Sequence, residues 1–520
     1  MAEHGLRKVI ITITVIAAAI IELIDTSIVN VALNDMSGNL GATLEDVAWV
    51  VTSYAIANVI IIPMTSFLAA RFGRRNYYIS SILLFTGASV ACGNAHNIWE
   101  LVAFRFVQGI GGGALLSTSQ AILFETFSVG ERGFAAALFG VGIFVGPTIG
   151  PTVGGWIIDQ YTWPWIFYIN LPIGLAAAFL SLLFVKEPEH ARNAETIDWP
   201  GIGFLVVGLG SLQTVLERGE TEVWFSKRYI VVLTVLAAVS LVSFIVRELT
   251  TEHPVVDLHV LKSGKLAIAA SLTFVLGFAL FATVFIVPVF TQRLLGYTAL
   301  KTGMLFLPGA AVSVIFLPLM GRLLTKGFPP QFMVMIGFGI VALFALKLSG
   351  LNLEAQSSDF FWPIILRAIG LSLITIPLTQ LAVSGLRPRD MPQGVALNNM
   401  MRQMGGSFGI AFINTFLDHR AAAHRLNLVS KLAIGDPATD SRLAQITHYM
   451  LSKGATAWEA PRRALGLLDT LTQQQAFLLS YIDAFRFVGF LSLACVPIIL
   501  FAGRPGSLPK AAAAAAADAH

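Results

Sequence analysis

The sequence predicts an all-α integral membrane protein of two six-helix bundles with two further helices inserted between them. Three observations carry that expectation. Of the 520 residues, 56% are hydrophobic and only 12% are charged, about half the charge of an ordinary soluble protein, and mean hydropathy is +0.75. Fourteen stretches are long and apolar enough to be membrane spans; the hydrocarbon core is roughly 30 Å thick and takes about 20 helical residues to cross. Arginine and glycine motifs recur in matching helices of the two halves.

So few charges cannot clothe a water-facing surface. That excludes a disordered, collagen-like or disulfide-framework protein, and a soluble nucleic-acid binder despite a pI near 9.0. Cys92 and Cys495 both lie in apolar runs and read as isolated buried thiols, too few for a cysteine zinc site. No metal site is expected.

The expected spans are 9–33, 47–70, 77–95, 99–124, 133–158, 165–185, 200–217, 229–247, 266–290, 303–323, 331–349, 361–385, 393–417 and 477–502. The first follows Arg7 and Lys8 and is too long, with no clear cleavage site after it, for a signal peptide. The spacers that end the others are mostly short and contain Gly, Pro or charge. Basic residues orient the chain, because Lys and Arg favour the cytoplasmic loops. With the N-terminus inside, seventeen of the 34 Lys and Arg fall in inside segments and six in the short outside ones. Both termini are then cytoplasmic. The sizeable polar segment 418–476 reads as an outside hairpin of short amphipathic helices, and the alanine-rich tail 506–520 as disordered. The expected division is 1–190 for the first bundle, 191–250 for the inserted pair and 251–505 for the second bundle.

A weak internal repeat supports the two halves. Arg105-Phe-Val-Gln-Gly109 opens the fourth span and Arg367-Ala-Ile-Gly370 lies early in the twelfth. Glycine-rich stretches follow in the fifth span and in the thirteenth, at Gly405, Gly406 and Gly409. Parallel halves around a central site are a transporter architecture.

The chemistry is expected where lipid makes charge expensive. Glu22 and Asp25 are three apart on the first span and share a face, and a charge at mid-bilayer costs on the order of 3 kcal/mol on the mild insertion scale. A carboxyl pair held there is suited to taking up and releasing protons. Glu22 also suits contact with a cationic substrate, and Asn30, Tyr54 and Asn58 could add polar contacts at the cavity. Arg105 on the fourth span stays charged in any surroundings and is positioned to influence Asp25; the alternative is a structural ion pair. Arg367 and Arg402 are the parallel candidates in the second half. Asp483 and Glu125 stand near helix ends and are weaker candidates.

The fifth span carries Gly142, Gly146, Gly150 and Gly154 on one face, with Pro147 and Pro151 interleaved. Glycines four apart let another backbone approach closely, and the prolines remove helix hydrogen bonds. This face is expected at a rocking interface between the halves, with tight static packing as the alternative. Gly405-Gly406-Ser407-Phe408-Gly409 and Gly109-Ile110-Gly111-Gly112-Gly113-Ala114 match enzyme motifs but lie in membrane spans without the strand–turn context those mechanisms need. No catalytic residue is expected. No ATP-binding P-loop occurs, so the energy source is an ion gradient or none, with no bound cofactor.

These residues resemble a known family: the fourteen-helix drug:proton antiporters of the major facilitator superfamily, of the EmrB/QacA type. The likeness covers nearly all of the membrane part. Asp25-Thr26-Ser27-Ile28-Val29-Asn30-Val31-Ala32-Leu33 matches its first-helix motif, and Arg105 with Gln108 and Gly109 its fourth-helix motif. Gly142 to Gly155 matches the fifth-helix motif that marks antiporters. Trp163-Pro164-Trp165 through Asn170-Leu171-Pro172, Asp198-Trp199-Pro200-Gly201, and Asn398-Asn399 with Arg402-Gln403 are typical of the fourteen-helix branch. One motif departs: in the loop after the second span Arg71, Gly73, Arg74 and Arg75 are present, but Ser66 and Ala70 replace a glycine and an acid.

The resemblance implies a major facilitator fold, alternating access, and export of lipophilic, cationic compounds across the bacterial inner membrane in exchange for protons. It also implies docking to a periplasmic membrane-fusion adaptor and an outer-membrane channel, for which hairpin 418–476 is a reasonable contact. The alternatives are a dedicated exporter of one endogenous metabolite, such as a siderophore or a fatty acid, and a non-transporting receptor or scaffold.

Overall fold

The computed structural model describes residues 5–187, 197–252, 254–384, 386–387, 390–432 and 436–502. The expected boundary at 190/191 and the tail 506–520 lie outside the described residues. All regular structure among the described residues is helical. The helices are α1 (Gly5–Leu40), α2 (Leu44–Phe72), α3 (Arg74–Gly93), α4 (Ile98–Thr126), α5 (Arg132–Gln160), α6 (Trp165–Tyr168), α7 (Asn170–Phe184), α8 (Trp199–Arg218), α9 (Arg228–Thr250), α10 (Gly264–Arg293), α11 (Ala299–Thr325), α12 (Pro330–Leu348), α13 (Ser357–Val383), α14 (Met391–Val429), α15 (Pro437–Ser452) and α16 (Ala460–Ala502).

Every expected span falls on a helix, α6 and α7 together forming the sixth. Among the described residues, 11 helices can cross a membrane by length and composition. The other three spans lie on α3, α5 and α14. α3 and α14 fall short because they turn polar residues inward, among them Arg74, Ser81 and Ser89 on one and Asn398, Asn399 and Arg402 on the other.

Local signals set the helix ends. Thr43, Asn97 and Asp198 each accept a hydrogen bond from the backbone N–H three residues on, capping α2, α4 and α8. Between α2 and α3 the chain turns on Gly73, whose φ of +83° is costly for any residue with a side chain.

The packing repeats. α1 lies on α5 as α10 lies on α14, α2 on α4 as α11 on α13, and α3 on α4 as α12 on α13. α5 packs against α11, and α2 and α4 against α14, joining the two halves. α8 packs on α2, and α9 covers α8 while leaving Val235, Val239, Val242 and Val246 exposed, as a lipid-facing helix does.

The cores are unequal at the two ends. At the end carrying Arg71, Gly73 and Arg74, one core joins both halves, with Ala135, Ala136 and Phe139 of α5 in the same cluster as Leu317, Met320 and Leu324 of α11. At the opposite end each half has its own core, around Ile28, Val50 and Phe167 in one and Phe290, Phe344 and Phe485 in the other. The structure is therefore sealed at the basic end.

The polar hairpin differs from expectation. Instead of several short helices, α14 continues to Val429 over 39 residues and α16 begins at Ala460 and runs 43 residues, with only α15 as a short helix between them. At 1.5 Å per residue each long helix exceeds the bilayer core about twofold. Nothing between Leu417 and Val429 breaks a helix, and Arg425 on α14 bonds Asp469 on α16 at 2.7 Å. Residues 433–435 of this segment lie outside the described residues.

Candidate functional site

Glycines in α4 build the site by letting neighbouring helices close in. A Cβ on Gly109 would stand 2.6 Å from the Tyr54 carbonyl oxygen and 2.8 Å from Ala57 Cβ. One on Gly113 would stand 2.8 Å from the Asn58 carbonyl oxygen, and one on Gly111 2.7 Å from the Phe85 nitrogen. The run 109–113 is thus the seat of α2 and α3 on α4. It delivers Tyr54 and Asn58, one turn apart, to the first helix.

Asp25 is completely buried. Arg105 Nη1 donates to its Oδ2 at 2.5 Å, and Gln108 Nε2 and Asn170 Nδ2 donate to its Oδ1 at 2.8 and 2.9 Å. Every partner donates, so the carboxyl acts as acceptor only, the role of an ionised carboxylate. Ser89 Oγ ties the donors together, accepting from Gln108 at 2.8 Å and Asn170 at 3.2 Å. Arg105 has other partners too: Nε donates to the Val50 carbonyl at 3.2 Å, Nη1 to Gln108 Oε1 at 2.7 Å, and the guanidinium lies 4.1 Å from the Tyr54 ring centroid.

Glu22, one turn away, belongs to a second group. Its Oε1 accepts from Asn58 Nδ2 at 3.0 Å and from the Tyr54 hydroxyl at 3.4 Å, while the buried Oε2 has no protein partner. The two acids share a helix but not their ligands, and Tyr54 touches both groups.

The other expected residues are distributed as follows. Asn30 does not join this site: it is exposed and its Nδ2 donates to the Thr26 carbonyl at 3.3 Å, because it lies two turns beyond Glu22 and rotated away from it. Arg367 occupies in α13 the place Arg105 has in α4, but its Nε donates to the Thr283 hydroxyl at 2.9 Å, where the first half has an acid. Asp483 is far from the site: His424 Nε2 lies 2.8 Å from it and Arg420 Nε donates to it at 2.6 Å, clamping α16 to the extended α14.

The glycine face of α5 meets a different partner from the one expected. Cβ atoms on Gly142, Gly146, Gly150 and Gly154 would contact Ile20, Leu23, Ser27 and Ile28 of α1, in the same half. Spacing fixed one smooth face but not its neighbour. Pro147 and Pro151 lie within the same continuous helix. The contact with α11 uses Gly133 instead, whose Cβ would stand 3.0 Å from the Gly321 carbonyl oxygen.

At the basic end, the loop lacking its acid is held by others. Glu187 accepts from the backbone N–H of Arg74 at 2.7 Å and of Arg75 at 3.0 Å, an anion at the N-terminus of α3. The Arg74 guanidinium pairs with Glu125 at the end of α4. Arg71 ends α2 beside this turn. Nearby Glu131 is held down to about pKa 2 by Lys8, which donates to it at 2.8 Å, and by Ser128.

Asn170 as a ligand of Asp25, and Ser89 as the acceptor behind it, escaped sequence reasoning, as did the bonds from Asn399 Nδ2 to Gln120 Oε1 at 2.9 Å and Ser117 Oγ at 3.3 Å that join α14 to α4. Uncharged polar residues in apolar helices raise no alarm in a hydropathy reading. The available signal was the place of Asn170 and Asn399 in the motifs around Trp163 and Asn398.

A membrane-embedded helical bundle with an acid–arginine cluster at its helix crossings defines a polytopic membrane transporter. The sequence profile of the Major Facilitator Superfamily matches residues 15–410. The multidrug export protein EmrB of Escherichia coli (strain K12) is 33% identical over 459 residues, 88% of this chain and 90% of that protein. The fatty acid resistance protein FarB of Neisseria gonorrhoeae is 30% identical over 496 residues, 95% of this chain and 96% of that protein. The crystal structure of the human organic anion transporter MFSD10 superposes with a TM-score of 0.56 at 12% identity, covering 93% of this chain and 99% of that one, a likeness of fold alone. The chain belongs to the Major Facilitator Superfamily, among its EmrB-type drug transporters.

Proposed function

We propose that the protein is a proton-coupled multidrug efflux antiporter that exports lipophilic, cationic compounds across the bacterial inner membrane by alternating access. The observation that carries this reading is the pair of buried carboxyls on α1: Asp25 fully paired, Glu22 with one oxygen unpaired, and Tyr54 between them. The kinship with EmrB supports drugs as cargo. The proton gradient supplies the energy, and no side chain takes a catalytic role.

The geometry suggests how a proton is exchanged. Protonating Asp25 removes the charge that Arg105 faces. Arg105 is not stranded, because the Val50 carbonyl, Gln108 Oε1 and the Tyr54 ring remain as its partners. Motion of Tyr54 with Arg105 reaches Glu22, where a cationic substrate would bind. With the N-terminus cytoplasmic, the sealed basic end is the inside, so the state described is closed to the cytoplasm. The division into bundles 1–190 and 251–505 with inserted helices between them gives the bodies that rock. The long hairpin of α14, α15 and α16 then projects outside, where a periplasmic membrane-fusion adaptor leading to an outer-membrane channel would dock.

Kinship with FarB favours a second reading, a dedicated exporter of fatty acids. Proteoliposomes under an imposed pH gradient test both. Proton flux triggered by several lipophilic cations supports multidrug antiport, and flux triggered only by fatty acids supports the second. No substrate-dependent proton flux would leave a receptor or scaffold.

A further inference from the structure

Two buried residues of opposite charge type, Glu22 and Arg402, stand within about a turn of each other beside α4 without bonding. Glu22 is 4% exposed and its Oε2 has no protein partner. Arg402 on α14 is 5% exposed, and among the described residues its guanidinium makes no hydrogen bond, ion pair or ring contact. Arg105 and Arg367, the buried arginines at matching places in α4 and α13, are satisfied, Arg105 by Asp25, Gln108 and Val50, and Arg367 by Thr283 and Leu280.

The register of the helices places the pair. Asn399 fixes α14 against α4 at Ser117 and Gln120. Alternating spans run antiparallel, so three residues on, about 4.5 Å along α14, Arg402 comes level with residues 114–117, within about a turn of Gly112. Glu22 packs beside that turn: its Cγ lies 3.4 Å from where a Gly112 Cβ would stand. Glu22 is also the carboxylate whose charge reaches Arg402. One turn before Arg402, on the same face, Asn398 buries an Oδ1 with no protein partner.

A guanidinium keeps its charge in any surroundings and offers five donors and no acceptor. Inside a membrane protein it calls for an acceptor. We propose that Arg402 is the oxyanion ligand of the transport site: it takes the carboxylate of an amphiphilic substrate opposite Glu22, so that the site has two poles and admits lipophilic acids as well as cations. This rests on the transport reading above. The planar fork of arginine matches a carboxylate bidentately. A lipophilic acid then binds with Glu22 protonated, and a lipophilic cation binds with Glu22 ionised and its charge directed away from Arg402. Asn58 and Tyr54 hold Glu22 in place for both.

The test measures equilibrium binding to the full chain in lipid nanodiscs, with uptake by empty nanodiscs subtracted. The probes share one chain length: radiolabelled dodecanoate and dodecyltrimethylammonium. Wild type is expected to bind both. Arg402→Gln should weaken dodecanoate about tenfold or more, as loss of a charged hydrogen-bonded pair does, and tighten dodecyltrimethylammonium by removing a repulsive charge. Arg402→Lys, which keeps the charge, should retain most dodecanoate binding. Equal weakening of both probes by both variants would overturn the proposal, as would a wild type that binds the cation and not dodecanoate. A wild type that binds neither, and shows no proton-driven exchange, would overturn the transport reading itself.

Discussion

The Arg105 guanidinium lies over the Tyr54 ring, 4.1 Å from charge to ring centroid, while the Tyr54 hydroxyl reaches Glu22 at 3.4 Å. One side chain of α2 thus links the two acids of α1, which share no direct ligand. The ring and the hydroxyl can be separated by mutation. Tyr54→Phe keeps the ring on Arg105 and removes only a long hydrogen bond, at a cost of about 1 kcal/mol or less. Tyr54→Ala removes the cation–π contact, about 0.5–2 kcal/mol, and leaves a cavity. Thermal unfolding in detergent should rank wild type and Tyr54→Phe close together and Tyr54→Ala well below. Only Tyr54→Ala should impair proton exchange in proteoliposomes, while Tyr54→Phe should chiefly alter substrate affinity.

The glycines of α5 differ in what faces them. A Cβ on Gly146 would stand 2.7 Å from Leu23 Cβ, and one on Gly155 would meet nothing within 4 Å. Gly146→Ala should destabilise by about 1–3 kcal/mol through overpacking behind the Asp25 turn. Gly155→Ala should be neutral or stabilise by up to about 1 kcal/mol through helix propensity. Scanning fluorimetry on the two variants decides it.

Closure of the basic end depends on the backbone approach of Gly133 and Gly321. A Cβ on Gly321 would stand 2.5 Å from the Gly133 carbonyl oxygen and 3.0 Å from Ala137 Cβ. Gly321→Val should therefore force the ends of α5 and α11 apart. Spin labels at exposed Phe72 and Phe328 report the separation, since the native Cys92 and Cys495 are buried. The distance distribution should move to longer values in the variant.

Acid should not loosen the tether between the start of α1 and the start of α5. Lys8, and then Ser128, hold Glu131 down to about pKa 2. A depressed carboxyl contributes stability above its unfolded value and loses it as pH falls through the folded one. The Lys8–Glu131 contact is thus fully present at pH 5.5–8 and is lost only toward pH 2. Glu131→Gln should leave the pH profile of efflux over 5.5–8 unchanged in shape, so any pH dependence there belongs to other groups.

Much of this was legible in the sequence because lipid imposes a uniform cost on charge. Asp25, Glu22 and Arg105 stood out for that reason; Tyr54 and Asn58, read from the sequence only as polar cavity contacts, bond Glu22. Other features were hidden for equally physical reasons. Periodicity says that Gly142, Gly146, Gly150 and Gly154 share a face, but helix rotation, and hence α1 as their partner, is set by packing. Hydropathy measures where lipid contact ends, so it marked position 417 while α14 runs on to Val429. Asn170 and Ser89 are uncharged, and hydropathy gives no sign that Asn170 reaches Asp25 or that Ser89 backs it. The glycines at 109–113 looked like a misplaced nucleotide motif, yet their function is to seat α2 and α3.

The most direct test of the account is pH-driven exchange by Asp25→Asn in proteoliposomes. Asparagine is close in size and keeps an acceptor for Arg105, so the variant should fold and still bind lipophilic cations. It should show no substrate-dependent proton flux and no accumulation under a pH gradient, where wild type shows both. Proton-driven exchange at the wild-type rate by the folded variant would contradict the assignment of Asp25 as the coupling residue.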